Sequence, residues 1–205
     1  RALFDDEGEQ VRALGASDMN VFDSYAWSAK ELLTITTSDG GTLCVSMIKR
    51  PDFDPTKKYP VFMDVYGGPG TQAVYNSWPG TMQQWYANEG FIVLQVDNRG
   101  SAGRGTAFKH AVYKQLEKWE SHDYVETAKY LATLPFVDKD NIGIWGWSYG
   151  GYMSALSLML GGGHFKAAVS IAPVTDWTLY DTIYAERFMQ RPSDNPDGYK
   201  VGSCL

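Results

Sequence analysis

Cysteine is nearly absent: the two residues, Cys44 and Cys204, stand far apart, with no CxxC pair and no His spacing suited to zinc. Neither a disulfide scaffold nor a metal site is signalled, and no cofactor is expected. Positive charge is also scarce, since 18 Lys and Arg stand against 24 Asp and Glu, the net charge is -6, and no basic run exceeds Lys57-Lys58. A chain without a basic footprint is a poor nucleic-acid partner. Long apolar runs are missing as well. No stretch approaches the roughly 18 unbroken apolar residues of a membrane helix, and the opening RALFDDEGEQ has neither the charged nor the apolar region of a signal peptide. The chain reads as soluble, and its first residue is not expected to be the start of the natural gene product. Present in quantity are 44% hydrophobic side chains, 14% aromatic ones and 21 glycines over 205 residues. That is enough to bury a core as one domain, or one plus a fragment.

Residues 1 to 14 alternate apolar and polar around Asp6-Glu7-Gly8, the pattern of a hairpin. A polar stretch over 17–30 leads into ELLTITT and TLCVSMIK, joined by Ser38-Asp39-Gly40-Gly41 as a second hairpin. The run PVFMDVY (60–66) is nearly continuous in apolar residues and ends at Gly67-Gly68-Pro69-Gly70, as a strand buried on both faces should. The grammar then repeats. TMQQWYAN reads as helix, FIVLQVD (91–97) as strand, TAFKHAVYKQL and HDYVETAKYLATL as helices, NIGIWGW (141–147) as strand and YGGYMSALSLML as helix. AAVSIA (167–172) follows as strand, DWTLYDTIYAERFM as helix and RPSDNPDGYKVGSCL as loop. Strands alternating with helices predict an α/β fold, a mostly parallel sheet with helices on both faces. Strands 60–66, 91–97, 142–147 and 167–172 are expected to be parallel neighbours.

Gly146-Trp147-Ser148-Tyr149-Gly150 fits G-x-S-x-G between a β-branched apolar run and an amphipathic one. That is the strand-turn-helix context in which such a serine is lifted above a sheet as a nucleophile. Gly146 and Gly150 flank the turn where a Cβ would collide as strand and helix close, and Gly151 adds a second small residue. The backbone N–H of Tyr149 is then one donor for a developing oxyanion. A second should come from the loop after strand 60–66, either from a backbone N–H there or from the Tyr66 hydroxyl; otherwise Tyr66 is a packing aromatic at a strand end. The glycines of NRGSAGRG run G-x-x-G-x-G, the reverse of dinucleotide spacing. Asp97 and Arg99 there read as groups that order loops.

GWSYGGYM, DVYGGPG, DNRGS and APVTDWTLYDTIYAERFM together resemble the catalytic domain of the prolyl oligopeptidase family of serine peptidases, most closely its dipeptidyl peptidase IV branch. The family signature pairs an Asp with the elbow at a fixed distance, and Asp123, Leu131, Gly146, Ser148, Gly150, Gly151 and Tyr152 fit it. Thr127 departs, standing where the family usually has Ala. The resemblance makes 31–205 the N-terminal and central part of an α/β-hydrolase peptidase domain, and 1–30 the end of an upstream β-propeller with its linker. It implies a nucleophile at Ser148 and an oxyanion donor at the Tyr66 hydroxyl beside the Tyr149 amide. It also implies a proline-accepting pocket walled by Val174, Trp177, Tyr180 and Tyr184. Tyr180 and Tyr184 lie at i and i+4 of a predicted helix and so share a face, which without the resemblance reads as core packing. Peptide substrates with penultimate proline, homodimer formation and a periplasmic or extracellular-facing setting are further implications of the family.

In α/β-hydrolases the chain order is Ser, then Asp or Glu, then His. Only His164 follows Ser148, and a helix of about twelve residues carries it roughly 18 Å away at ~1.5 Å per residue, so it is not expected to be the base. His110 and His122 precede the serine and read as surface or half-buried residues. Asp176, just past AAVSIA, lies on the side where the sites of such sheets are found and is a conceivable acid. The family places its Asp and His after two further strands. The expectation is therefore a fold truncated before its last strands, with nucleophile and oxyanion groups but no complete triad. The implied function is release of N-terminal dipeptides after proline through an acyl-enzyme on Ser148. Alternatives are a tripeptidyl or acylaminoacyl peptidase, an esterase of the same fold, or a catalytically inactive fragment. A missing C-terminal segment and the upstream propeller of the same protein would be its partners.

Overall fold

A computed structural model describes residues 1–16, 20 and 22–205. Part of the polar stretch expected over 17–30, namely 17–19 and 21, lies outside the described residues. Strands β1 (Ala2–Phe4) and β2 (Gln10–Ala13) form the expected antiparallel hairpin as a two-stranded sheet of their own. Its turn is tied by the Asp5 carboxylate, which accepts the N–H groups of Glu7 and Glu9 at 3.1 and 2.8 Å.

The main sheet has six strands: β3 (Lys30–Thr36), β4 (Thr42–Ile48), β5 (Tyr59–Asp64), β6 (Ile92–Asp97), β7 (Val137–Trp147) and β8 (Ala167–Ile171). Their order is β3-β4-β6-β5-β7-β8. The four strands expected to be parallel neighbours are so, with β6, β5, β7 and β8 side by side, and the β3/β4 hairpin adds antiparallel strands beyond β6. Because side chains alternate across a strand, Val61 and Met63 of β5 enter the main core while Phe62 points to the other face. The main core lies under α3 (Lys118–Ala132) and α4 (Tyr149–Leu160), which contribute Tyr124, Leu131, Tyr152, Met153 and Leu156. On the opposite face α1 (Thr81–Asn88) lays Tyr86 on Phe62, ring centroids 4.1 Å apart.

From β5 the chain passes through α1 to β6 on one side, then returns across β5 to β7 on the other. Such a reversal opens a crevice at the carboxyl ends of the strands, where the ligand sites of these sheets lie. Tyr66 and Ser148 both stand there, just past β5 and β7.

The helical segments differ from the sequence pattern in four places, and β7 begins at Val137, ahead of the strand expected over 141–147. The helix expected over 106–116 stops early: α2 is Thr106–His110, because Lys114 turns to φ 66° and gives its N–H to the Phe188 carbonyl at 2.7 Å. The helix expected from 122 begins at Lys118, where the Glu117 N–H donates to Glu120 Oε2 at 3.2 Å. The helix expected over 176–189 is two pieces, a 3₁₀ turn at Trp177–Leu179 and α5 (Thr182–Met189). Asp176 and Asp181 each cap one piece, accepting from Thr178 N and Tyr184 N at 2.7 and 2.8 Å. Finally, the expected terminal loop contains α6 (Pro196–Val201), with proline in its first turn and Gly202 just past its end.

The tightest constraint lies between β5, β7 and α4. A Cβ on Gly146 or Gly150 would collide with the Val65 carbonyl oxygen, and one on Gly151 would stand 2.6 Å from the Ile171 carbonyl oxygen. These obstacles are backbone and cannot rotate away. Gly150→Ala should therefore lower unfolding free energy by about 2 kcal/mol or more in urea denaturation, as overpacking of a tight site does. Gly15→Ala, at a position with open space and ordinary φ, should stay within ~0.5 kcal/mol. Equal midpoints for the two variants would contradict the close approach.

Candidate active site

Ser148 is the residue between β7 and α4, with φ 58° and ψ -117°. A non-glycine residue so far from the allowed regions stores strain of about 1–3 kcal/mol, held only where the surroundings over-determine it. Here they do: the Ser148 N–H donates to Ile171 O at 2.9 Å, its carbonyl accepts from Tyr152 N at 3.1 Å, and the flanking glycines let β5 press against the turn. The serine is half-buried, and its Oγ makes no hydrogen bond among the described residues. Tyr149 opens α4, so its N–H has no carbonyl a turn earlier to bind and points out of the helix end. A hydroxyl standing beside an unspent amide is the arrangement acyl transfer requires.

The loop after β5 is fixed from several sides. Asn98, just past β6, donates its amide to the carbonyls of Gly67 and Arg99 at 3.1 and 2.6 Å while accepting from the Tyr124 hydroxyl at 2.9 Å. Asp97 accepts the N–H groups of Ala73 and Val74 at 2.7 and 3.2 Å. Arg99 gives its N–H to Asp123 Oδ2 at 2.7 Å, spreads its guanidinium over Asp123 and Asp39, and lies 3.9 Å over the Trp119 ring. Asp97 and Arg99 thus order loops as expected, though through separate partners. Asp123, expected from the family signature, is the buried anchor of this lattice.

Tyr66 stands on that loop, its ring folded over Gly68 and 6.0 Å from the ring of Tyr149. Burial pushes its phenol up from the ordinary value, and the nearby Tyr180 adds to the shift. It therefore stays a neutral O–H donor through the physiological range.

The aromatic residues expected to wall a pocket come together. Trp177 lies 5.5 Å from Tyr149, 5.8 Å from Tyr180 and 5.8 Å from Tyr184, nearly parallel to the last at 14°. Tyr180 and Tyr184 meet edge to face at 5.5 Å, but not as helical neighbours: Tyr180 ends the 3₁₀ turn and Tyr184 sits inside α5. Trp177 is fully buried, so it forms the floor of the cluster, with Tyr180 exposed and Tyr184 half-buried against the core. Val174, also expected in the wall, is partly buried against the main core. Phe188, 4.9 Å from Tyr184, extends the cluster to a groove of about 580 Å³ that Lys109, Tyr113 and Arg187 also line; the sequence reading missed it.

No histidine serves Ser148 among the described residues. His122 Nδ1 lies 3.0 Å from Arg99 Nη2 and 3.2 Å from Asp123 Oδ1, in the loop lattice. His164 follows the far end of α4. Asp176, the conceivable acid, is occupied as a cap, with Thr178 and Ser203 as its hydroxyl donors. No cluster of three or more His, Cys, Asp or Glu suited to a metal occurs among the described residues, and no helix there is long and apolar enough to cross a membrane.

Beneath the elbow lies a group the sequence reading did not single out. Glu120 is fully buried on α3 and accepts the Tyr149 hydroxyl at 2.6 Å; burial pushes its carboxyl up to about 8. Neighbouring Glu117 is pushed up to about 7, also by burial.

A model of the prolyl oligopeptidase family matches residues 77–204. The chain is 44% identical over 182 residues to a Talaromyces marneffei protein named "Probable dipeptidyl-aminopeptidase B", covering 88% of this chain and 20% of that one. A protein of the same name from Arthroderma gypseum is 44% identical over 169 residues, covering 82% and 18%. Among solved structures, Porphyromonas gingivalis dipeptidyl peptidase 4 superposes with a TM-score of 0.93 at 39% identity, over 99% of this chain and 29% of that one. This chain thus spans about a fifth of the length of those curated relatives, and its fold is that of the α/β-hydrolase domain.

The buried carboxyls give stability a definite pH dependence. A carboxyl whose folded pKa is raised contributes stability that is present below its ordinary value and lost as pH rises through the folded value. Glu117 and Glu120 act this way, and Asp64 and Asp97 are shifted in the same direction by burial. Arg99 and Thr37 hold Asp39 down to about 2; Glu126 is also held to about 2, where burial opposes but Lys129 and the Ser38 N–H prevail. Those two act only in acid. Unfolding free energy should therefore fall between pH 5 and pH 8.5, with a shallower fall in Glu120→Gln. A flat or rising curve in both proteins would contradict the burial of these groups.

Proposed function

The chain belongs to the prolyl oligopeptidase family, and we propose that it carries the nucleophile of a serine peptidase that releases N-terminal dipeptides after proline. The observation that carries this reading is Ser148 at its strained turn, with the Tyr149 N–H on one side and the Tyr66 hydroxyl on the loop opposite. In the proposed reaction Ser148 Oγ attacks proline's own carbonyl carbon and yields its proton to the base, which passes it to the leaving amine, and the oxygen that becomes negative is met by the Tyr149 amide and the Tyr66 phenol. The amine leaves with a proton, the dipeptide remains as an ester on Ser148, and water releases it.

The base and its orienting acid are groups outside these 205 residues, a reading supported by the engagement of His122 and Asp176 in structural bonds. Proline selectivity is assigned to Tyr184 and Tyr180 above the Trp177 floor, with Val174 as a further wall residue, because flat rings fit a pyrrolidine better than a flexible side chain does. The names of the relatives support dipeptide release. Residues 1–30 are assigned to the end of an upstream propeller and its linker, a reading supported by the β1/β2 hairpin, which pairs with no strand of the main sheet.

The test uses the protein expressed from its complete reading frame and a Gly-Pro chromogenic substrate. Ser148→Ala should abolish turnover. Tyr184→Ala should lower kcat/KM about three- to tenfold, matching the ~0.5–1.5 kcal/mol of a lost aromatic contact, and His122→Ala should leave it within about twofold. Retained turnover in Ser148→Ala would end the reading. Wild-type cleavage of acylated or tripeptidyl substrates in place of Gly-Pro would move the protein to another activity on the same nucleophile.

A further inference from the structure

Glu120 is a full-length acidic side chain with no exposed surface and no Lys or Arg paired to it among the described residues. Its two oxygens meet two donors: the Tyr149 hydroxyl on Oε1 at 2.6 Å and the Glu117 N–H on Oε2 at 3.2 Å. A buried carboxyl without a cation is costly, and phenylalanine at 149 with an apolar residue at 120 would fill the same space without that cost. The arrangement therefore has to be read through what Tyr149 does. Its N–H is the oxyanion donor of the proposed reaction, and its ring touches Tyr66 on the loop opposite, Trp177 under the pocket and Tyr152 in the core. Rings alone permit sliding, whereas one short hydrogen bond at the far end of the phenol fixes direction and depth.

We propose that Glu120 is a positioning residue for this site: by holding the Tyr149 hydroxyl it sets the Tyr149 ring against Tyr66 and Trp177, and so sets both the oxyanion donor and the shape of the proline pocket. This rests on the function proposed above for Ser148 and Tyr149. The groups facing the carboxyl are Glu117 and Tyr124 from its own helix, Tyr149 and Tyr152 from α4, and Tyr184 from α5. The groups from α4 and α5 are all phenols, and Glu120 is the carboxyl that accepts the Tyr149 hydroxyl.

The experiment is a double-mutant cycle in the protein from its complete reading frame. It is read by kcat/KM on Gly-Pro and Gly-Ala chromogenic substrates and by the rate at which a fluorophosphonate labels Ser148. Glu120→Leu and Tyr149→Phe should each cut the Gly-Pro to Gly-Ala preference at least fivefold and slow labelling at least fivefold. The double variant should be no worse than either, since both remove one bond. Glu120→Gln, which keeps an acceptor for Tyr149 and gives up the Glu117 bond, should restore most of the preference. If Glu120→Leu alone does not fold, the double variant carries the test, because it leaves no buried hydroxyl unpartnered. Unchanged preference and labelling in a folded variant, or losses that multiply in the double variant, would overturn the proposal. A wild type that labels but does not cleave Gly-Pro would refute the assigned substrate and leave the labelling arm to decide Glu120. A wild type that does not label would remove Ser148 as nucleophile, and the proposal with it.

Discussion

The structure depends on how closely the backbone of β5 approaches the turn at Ser148. The Val65 carbonyl oxygen would collide with a Cβ on either Gly146 or Gly150, and Ile171 O with one on Gly151. With no side chains in the way, β7 can end, reverse and enter α4 within one residue, at the price of a serine with φ 58°. That single residue then stands above the sheet edge beside the first free amide of the helix. Keeping these backbones in contact holds the turn at Ser148 against the segment that leads to Tyr66.

Around that contact, polar groups tie down the loops at the carboxyl ends of the strands, beside apolar packing of Val65 and Val74. Asn98 ties Gly67 to Tyr124, Asp97 ties Ala73 and Val74, Arg99 joins Asp123 to Asp39, and Glu120 ties Tyr149. Each bond is directional, so the lattice fixes positions as well as stability. The proposed role, presenting donors to a short-lived charge, would benefit from such rigidity, since reorganisation at the moment of reaction is avoided.

Much of this was legible in the residues. Apolar β-branched runs ending in glycine marked the parallel strands, and the G-x-S-x-G pentapeptide between strand and helix marked the elbow, because strand burial and close approach leave local compositional traces. What was not legible depends on distant partners. The early end of α2 is set by the Phe188 carbonyl, more than seventy residues away in the chain, and nothing near Lys114 announces it. The break before α5 did leave a signal, since Asp176 and Asp181 stand at capping positions ahead of Thr178 and Tyr184, but the apolar run around them read as one helix. Tyr180 and Tyr184 meet as the spacing suggested, through a capped turn and not along a helix face. The helix α6 lies in a polar stretch with Pro and Gly that reads as loop. Glu120 left no trace at all: a glutamate in a helix reads as surface, and only the packing of α3 on α4 buries it.

The central claim is that Ser148, the Tyr149 amide and the Tyr66 hydroxyl converge on one carbonyl whose proline ring lies on Tyr184. A crystal structure of the protein with a dipeptide boronic acid ending in a proline analogue tests this most directly, since boron becomes tetrahedral on the attacking oxygen. The account predicts a bond from Ser148 Oγ to boron, a boronate oxygen within hydrogen-bond reach of Tyr149 N and Tyr66 Oη, and the five-membered ring against Tyr184 above Trp177. Boron bound to another residue, or the ring seated away from those tyrosines, would contradict it.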